Sequence, residues 1–100
     1  MKYLTLIPDY TGSCIQDDAG NAIEIQDLNL PKDFIDELAS WHSAYREIIP
    51  LSDEQRLAIT DRIEELDNIG LSLAGKLKDL MPGGAKVKYF SEGKLKFLLL

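Results

Sequence analysis

Residues 52–81 constrain this chain more than any other stretch. They open on Ser52-Asp53-Glu54-Gln55, a capping box in which Ser52 caps the first turn and Gln55, three residues on, reaches back. They close on Pro82-Gly83-Gly84, which does not continue a helix. Between these signals Ile59, Ile63, Leu66, Leu73, Leu77 and Leu80 recur at steps of three, four or seven. That spacing lines one face of an α-helix with apolar side chains. A helix of roughly thirty residues spans about 45 Å, more than the width of a compact domain of this size. The rest of the chain must therefore pack against it. Gly70 and Gly75 interrupt the run, each at a cost of about 1 kcal/mol against alanine. Two explanations compete. A neighbour approaches the backbone too closely for a side chain, or the helix kinks near Asn68-Ile69-Gly70 and divides in two.

A second helix precedes it. Pro31 suits a first helical turn, where a missing N–H costs nothing. Asp33, Asp36 and Glu37 favour the positive end of the helix dipole. Phe34, Ile35, Leu38, Trp41 and Tyr45 fall on one face, and Ile48-Ile49-Pro50 ends the pattern, because a residue before proline avoids the α region. The short connection to Ser52 predicts an antiparallel helical hairpin.

The remaining segments read as strands. Residues 2–8 form the first, followed by a loop at residues 9–13. Residues 14–16 and 22–25 form either a short hairpin or an ordered loop around Asp17-Asp18-Ala19-Gly20-Asn21, where Gly20 and Asn21 can take positive φ. Residues 85–90 and 94–98 form a hairpin closed by Ser91-Glu92-Gly93. A three-residue loop with Gly93 left-handed sets Tyr89 opposite Leu95, Val87 opposite Phe97 and Lys88 opposite Lys96. Val87, Tyr89, Leu95 and Phe97 then face the helices, and Lys86, Lys88, Lys94 and Lys96 face outward. The expected fold is a single α+β domain over residues 1–100. In it a small antiparallel sheet, the N-terminal strand plus the C-terminal hairpin, packs against a two-helix antiparallel hairpin.

Composition narrows the function. An apolar fraction of 45% argues against disorder. The single cysteine, Cys14, cannot form an internal disulfide, which fits a reducing compartment. The apolar start is too short for a signal peptide or a membrane span, so a cytoplasmic protein is expected. A net charge of −6 argues against a nucleic-acid binder. The charge is uneven. Residues 1–70 hold fifteen acids and five bases, whereas residues 71–100 hold two acids and six bases. Asymmetry of this kind marks either a partner surface or a solvated acidic face with lysines guarding an edge strand.

No catalytic, metal or cofactor site emerges. The only histidine, His42, reads as a partly exposed helix residue, and Cys14 as a small apolar filler. One histidine and one cysteine do not make a usual zinc set. Residues 17–24 lack the alternating ligands of an EF-hand. Gly83-Gly84 follows a helix and precedes a strand, the wrong order for a phosphate cradle. Asp61, Glu64, Glu65 and Asp67, with Arg62 among them, read as the solvated outer rim of the long helix. What remains is a binding surface, with Trp41 and Tyr45 as anchors if exposed and as core if not.

One set of residues carries a resemblance. Leu28-x-Leu30-Pro31, Leu38-x-x-Trp41-x-x-x-Tyr45, Gly70-x-x-Leu73-Ala74-x-x-Leu77, Pro82-Gly83 and Val87-x-Tyr89-Phe90 together resemble small bacterial immunity proteins of toxin systems, including contact-dependent growth inhibition. The resemblance spans residues 28–97 and rests on packing positions. It implies a cytoplasmic, non-enzymatic antitoxin whose partner is a cognate toxin domain, often a nuclease, with no direct contact to nucleic acid or membrane. An acidic protein can occupy the basic cleft of such a toxin as a phosphate mimic. Asp17, Asp18, Glu24, Asp61, Glu64, Glu65 and Asp67 are the contact candidates on this reading. Two alternatives stand beside it. One is a self-associating structural or regulatory protein, a homodimer through the exposed helix or the Leu98-Leu99-Leu100 edge. The other is a small enzyme or ligand sensor with a pocket between sheet and helices.

Overall fold

The computed structural model describes residues 2–8, 14–81 and 83–98. The loop expected at residues 9–13, the stop at Pro82 and the Leu99-Leu100 end of the tail lie outside the described residues. Strands β1 (Lys2–Leu6), β2 (Ile15–Asp17), β3 (Ala85–Ser91) and β4 (Lys96–Leu98) form one sheet in the order β2-β1-β3-β4. Helices α1 (Lys32–Arg46), α2 (Asp53–Ala58) and α3 (Thr60–Leu80) complete the α+β architecture, with a 3-10 turn at Ile25–Leu28.

The sheet is mixed rather than antiparallel. β1 pairs antiparallel with β2 but parallel with β3, and β3 pairs antiparallel with β4. Direction reverses at each step from β1 to β2, then α1, then α3, then β3. That even number of reversals returns the chain into β3 in the direction of β1, and the short β2 supplies the reversal that the sequence reading placed in doubt. Beyond β2 the expected second strand shrinks to one bridge, Gln16 with Ala22. The turn between them forms as its chemistry requires, with Gly20 at φ +85, while Asn21 keeps a negative φ.

The helical hairpin forms, and its apolar faces point largely as their spacing predicts. Leu80 at the last turn of α3 is nevertheless 38% exposed, and Ile35 and Ile59 are only half-buried, because they lie at the margins of the packed stripes. Phe34, Leu38, Trp41 and Tyr45 of α1 are buried with Ile63, Leu66, Leu73, Ala74 and Leu77 of α3 and with Leu4, Leu6, Val87 and Tyr89 of the sheet. Trp41 is core, and its Nε1–H donates to the Leu66 carbonyl at 2.9 Å, joining α1 to α3. His42 is buried as well, at 7% exposure, because it borders the Trp41 ring on the inward side of α1.

The long stretch does divide, but at Ile59 rather than near Gly70. The capping box at Ser52 forms as expected. Ile59 then leaves helical geometry at φ −124 and ψ 33, and its N–H reaches only to the Arg56 carbonyl, one residue short of an α-turn. The Arg56 guanidinium explains the bend. It donates to the carbonyls of Leu51, Ile49 and Glu92, so α2 is held against two loops instead of running in line with α3.

Gly70 lies in unbroken helix, and the reason for it is close packing. A Cβ there would meet the Tyr89 ring, with Cζ and Oη at 2.6 Å, whereas a Cβ on Gly75 would meet nothing within 4 Å. The two glycines should therefore respond with opposite signs. Gly75→Ala is expected to stabilise the protein by about 0.5–1 kcal/mol through helix propensity. Gly70→Ala is expected to destabilise it by about 2 kcal/mol or more, because Tyr89 has nowhere to retreat. Urea unfolding of both variants checks this; equal effects would mean that neither position is controlled by Tyr89.

The C-terminal hairpin departs from expectation. Its loop has four residues, 92–95, and Tyr89 pairs with Leu98, Phe90 with Phe97 and Ser91 with Lys96. The register is shifted by three residues, and an odd shift turns every side chain of a strand to its other face. Leu95 and Phe97, expected inside, are each 60% exposed. Val87 and Tyr89 do face the helices, and Lys86 and Lys88 do face outward. The loop backbone is used elsewhere. The Glu92 carbonyl accepts from Arg56, the Gly93 N–H donates to the Tyr45 hydroxyl at 2.8 Å, and the Lys94 N–H donates to Ser91 Oγ at 3.1 Å. Strand pairing can resume only after these bonds are made. The left-handed residue is Leu95, at φ 54, not Gly93. Gly93 is small because Ile63 and Tyr45 would lie 2.5 and 2.9 Å from a Cβ.

Candidate functional site

The seven carboxylates singled out by sequence occupy three different environments. Asp17 closes the turn after β2. Its Oδ1 accepts from the N–H groups of Asn21 and Ala19, each at 2.9 Å. The Asn21 N–H, helped by Ala19 and the Asn21 amide, holds this carboxyl below the usual carboxylate range. Asp18 follows it in the turn and Glu24 comes after the turn, both exposed.

Asp61, Glu64 and Glu65 stand on the outer side of α3, all exposed. Glu65 pairs with Arg62 at 3.1 Å one turn away, and Glu64 lies 3.9 Å from Lys94 Nζ. Asp53 and Glu54 at the start of α2 are exposed next to this rim. The two acidic groups do not meet. β2 and β4 are opposite edges of the sheet. The Asp17 turn sits at the end where β3 begins, whereas Ile63 and Glu64 contact the loop after β3 ends.

Asp67 is not on the rim. It is 2% exposed and points into the interior between α3, α1 and β3. Tyr89 Oη donates to its Oδ1 at 2.7 Å, Tyr45 Oη to the same oxygen at 2.8 Å, and Ser91 Oγ to Oδ2 at 2.7 Å. Lys94 Nζ is 3.9 Å from Oδ2, folded inward rather than outward as expected. Two of the donors serve a second purpose. Tyr45 also accepts from Gly93, and Ser91 accepts from Lys94, so this one carboxylate joins two helices, a strand and the hairpin loop. Burial raises the Tyr45 hydroxyl to about 12, and burial together with the Asp67 charge pushes Tyr89 higher still. Both therefore stay protonated and can donate. Burial likewise raises the Cys14 thiol to about 12, which leaves it a buried apolar side chain rather than a nucleophile.

Sequence reading missed a groove beside the acidic rim. The bend at Ile59 turns Leu57 outward, 76% exposed, and the hairpin loop presents Leu95 opposite it. With Thr60, Ile63 and Gly93 they line a groove of about 430 Å³. The only sequence signal was Leu57 itself, which falls outside the apolar spacing of the long stretch. Among the described residues no group of three or more His, Cys, Asp or Glu is placed to hold a metal ion, and no helix is long and apolar enough to cross a membrane.

The site is thus a surface of exposed carboxylates and two exposed leucines, built on an interior tied together by Asp67. No curated protein matches the chain. A family model does, over residues 2–92, and its description is Serratia CdiI immunity protein-like. The match takes in β1, all three helices, β3 and the buried hydroxyl–carboxylate set. By that match the chain belongs to the Serratia CdiI immunity protein-like family.

Proposed function

We propose that this protein is a cytoplasmic immunity protein that binds a cognate toxin domain and blocks it without chemistry of its own. Family membership over residues 2–92 carries the reading. The toxin is a nuclease with a basic substrate cleft, and the α3 rim enters that cleft in place of phosphate. Three features support this choice of surface. Asp61, Glu64 and Glu65 are exposed on a helix, Asp53 and Glu54 extend the same charge along α2, and the cations beside them, Arg56, Arg62 and Lys94, are already engaged. Asp17, Asp18 and Glu24 fall outside this contact, and Asp67 is too deep to join it.

The test is a titration with a toxin domain that the protein protects against. Glu64→Lys with Glu65→Lys is expected to weaken binding by about 100-fold and to flatten its salt dependence. Folding stability should fall by no more than about 1–2 kcal/mol, since the Glu65 pair is exposed and Glu64, itself exposed, lies 3.9 Å from the half-buried Lys94. Unchanged affinity in the folded double variant would place the contact elsewhere.

A further inference from the structure

We infer that the uncovered face of the sheet docks a second copy of this chain, in a two-fold, face-to-face pair. The helices cover one face only. The other carries Tyr3 and Thr5 on β1, Lys86 and Lys88 on β3, and Phe97 on β4, with Asp18 just past the end of β2. These residues line one groove of about 420 Å³ together with Asp17. Tyr3 is 52% and Phe97 60% exposed, and the Lys88 ammonium rests 5.8 Å above the Phe97 ring.

The charges on this face are sorted. Both lysines lie on one side of β1 and Asp18 on the other, whereas Asp17 pairs with the inward-facing Leu4. A two-fold axis running along β1, between two facing copies, lays β2 of each over β3 of the other. Facing sheets keep their strand directions within about 30°, so levels along the strands are preserved. Tyr3 is level with Lys86, and Leu4 with Asp17, which sets Asp18 level with Lys86. Asp18 of each copy then meets Lys86 of the other, and the Tyr3 rings meet at the axis.

A second copy is the occupant because it presents both signs at the matching spacing. A nucleic acid would be drawn to the lysine row and repelled by Asp18. The face is about 19 Å wide and about 17 Å long at ordinary strand spacings, giving a buried area below that of stable dimers. The pair is therefore weak and forms at high concentration. It leaves the α3 rim free, and it stands apart from the immunity reading.

Sedimentation equilibrium of the full chain alone, at low salt and up to hundreds of micromolar, tests it. The expected result is a monomer–dimer equilibrium that Lys86→Asp or Asp18→Lys weakens by about tenfold or more, because each substitution acts twice across the axis. The doubly swapped variant should recover the dimer to within about threefold of the starting chain. Thr5→Glu, in the middle of the face, should weaken it independently of the swap. A chain that stays monomeric throughout, or a double swap as weak as the single variants, overturns the inference. Neither outcome involves the toxin, so neither bears on the α3 contact.

Discussion

Asp67→Ala is expected to remove about 3–5 kcal/mol of folding stability. For a chain of this length that lowers the melting temperature by on the order of 15 °C or more. The magnitude follows from what is left behind. Two tyrosine hydroxyls and a serine hydroxyl would remain buried without their common acceptor, and Lys94 would lose one of its two carboxylates. The cost should exceed that of truncating an exposed acid such as Glu65 by several-fold. Asp67→Asn should cost less than alanine but more than 1 kcal/mol, since its amide nitrogen is a donor among donors. Thermal and urea unfolding followed by circular dichroism measure all three. A loss below about 1 kcal/mol for Asp67→Ala would show that the hydroxyls satisfy one another and that the carboxylate is dispensable.

The second large effect is alkaline unfolding. Cys14 moves from its usual 9.0 to about 12, Tyr45 from 10.0 to about 12, and Tyr89 beyond that. In each case the folded chain holds the proton more tightly than the unfolded chain. The stability this represents is complete below pH 9 and falls as pH rises from there toward the folded values. Each group contributes a slope of about 1.4 kcal/mol per pH unit, so the three together remove roughly 4 kcal/mol per unit above pH 10. By pH 12 the loss is on the order of 9 kcal/mol, so a domain in the lower half of the ordinary range of about 5–15 kcal/mol unfolds before that pH. Tyrosinate absorbance and circular dichroism should change together, with Tyr45 and Tyr89 ionising only as structure is lost. Cys14→Ala should move the onset from near pH 9 to near pH 10. Ionisation of all the tyrosines at pH 10 with the fold intact would contradict the buried hydroxyl set.

Much of the scaffold was legible from spacing alone. The stripe Phe34, Leu38, Trp41, Tyr45 and the stripe Ile63, Leu66, Leu73, Leu77 are buried as their period requires. The capping box at Ser52 forms, and so does the tight turn at Asp17. Local patterns succeed here because the groups that satisfy them are a few residues apart. Errors arose where two solutions were locally equal. Val87 to Phe97 alternates well under two registers, and only the bonds that Arg56, Tyr45 and Ser91 make to the loop choose between them. The break at Ile59 has the same origin, since Arg56 reaches carbonyls seven residues back and thirty-six ahead.

The candidate site divides in the same way. Asp61, Glu64 and Glu65 lie outside the apolar stripe of α3 and are on the surface, as position alone requires. Asp67 sits next to the stripe, and a carboxylate there belongs outside unless hydroxyls are waiting for it. Those hydroxyls come from positions 22 and 24 residues away, beyond the reach of any periodicity. The sequence by itself determined which faces of α1, α3 and β3 turn inward, because burial of apolar area follows the helical and strand periods. Tertiary structure alone decided where the long helical stretch bends, which face of β4 is exposed, and which acid is interior. Each of those outcomes depends on whether a polar group finds its partner across the fold, and that partner is set by packing rather than by neighbours in the chain.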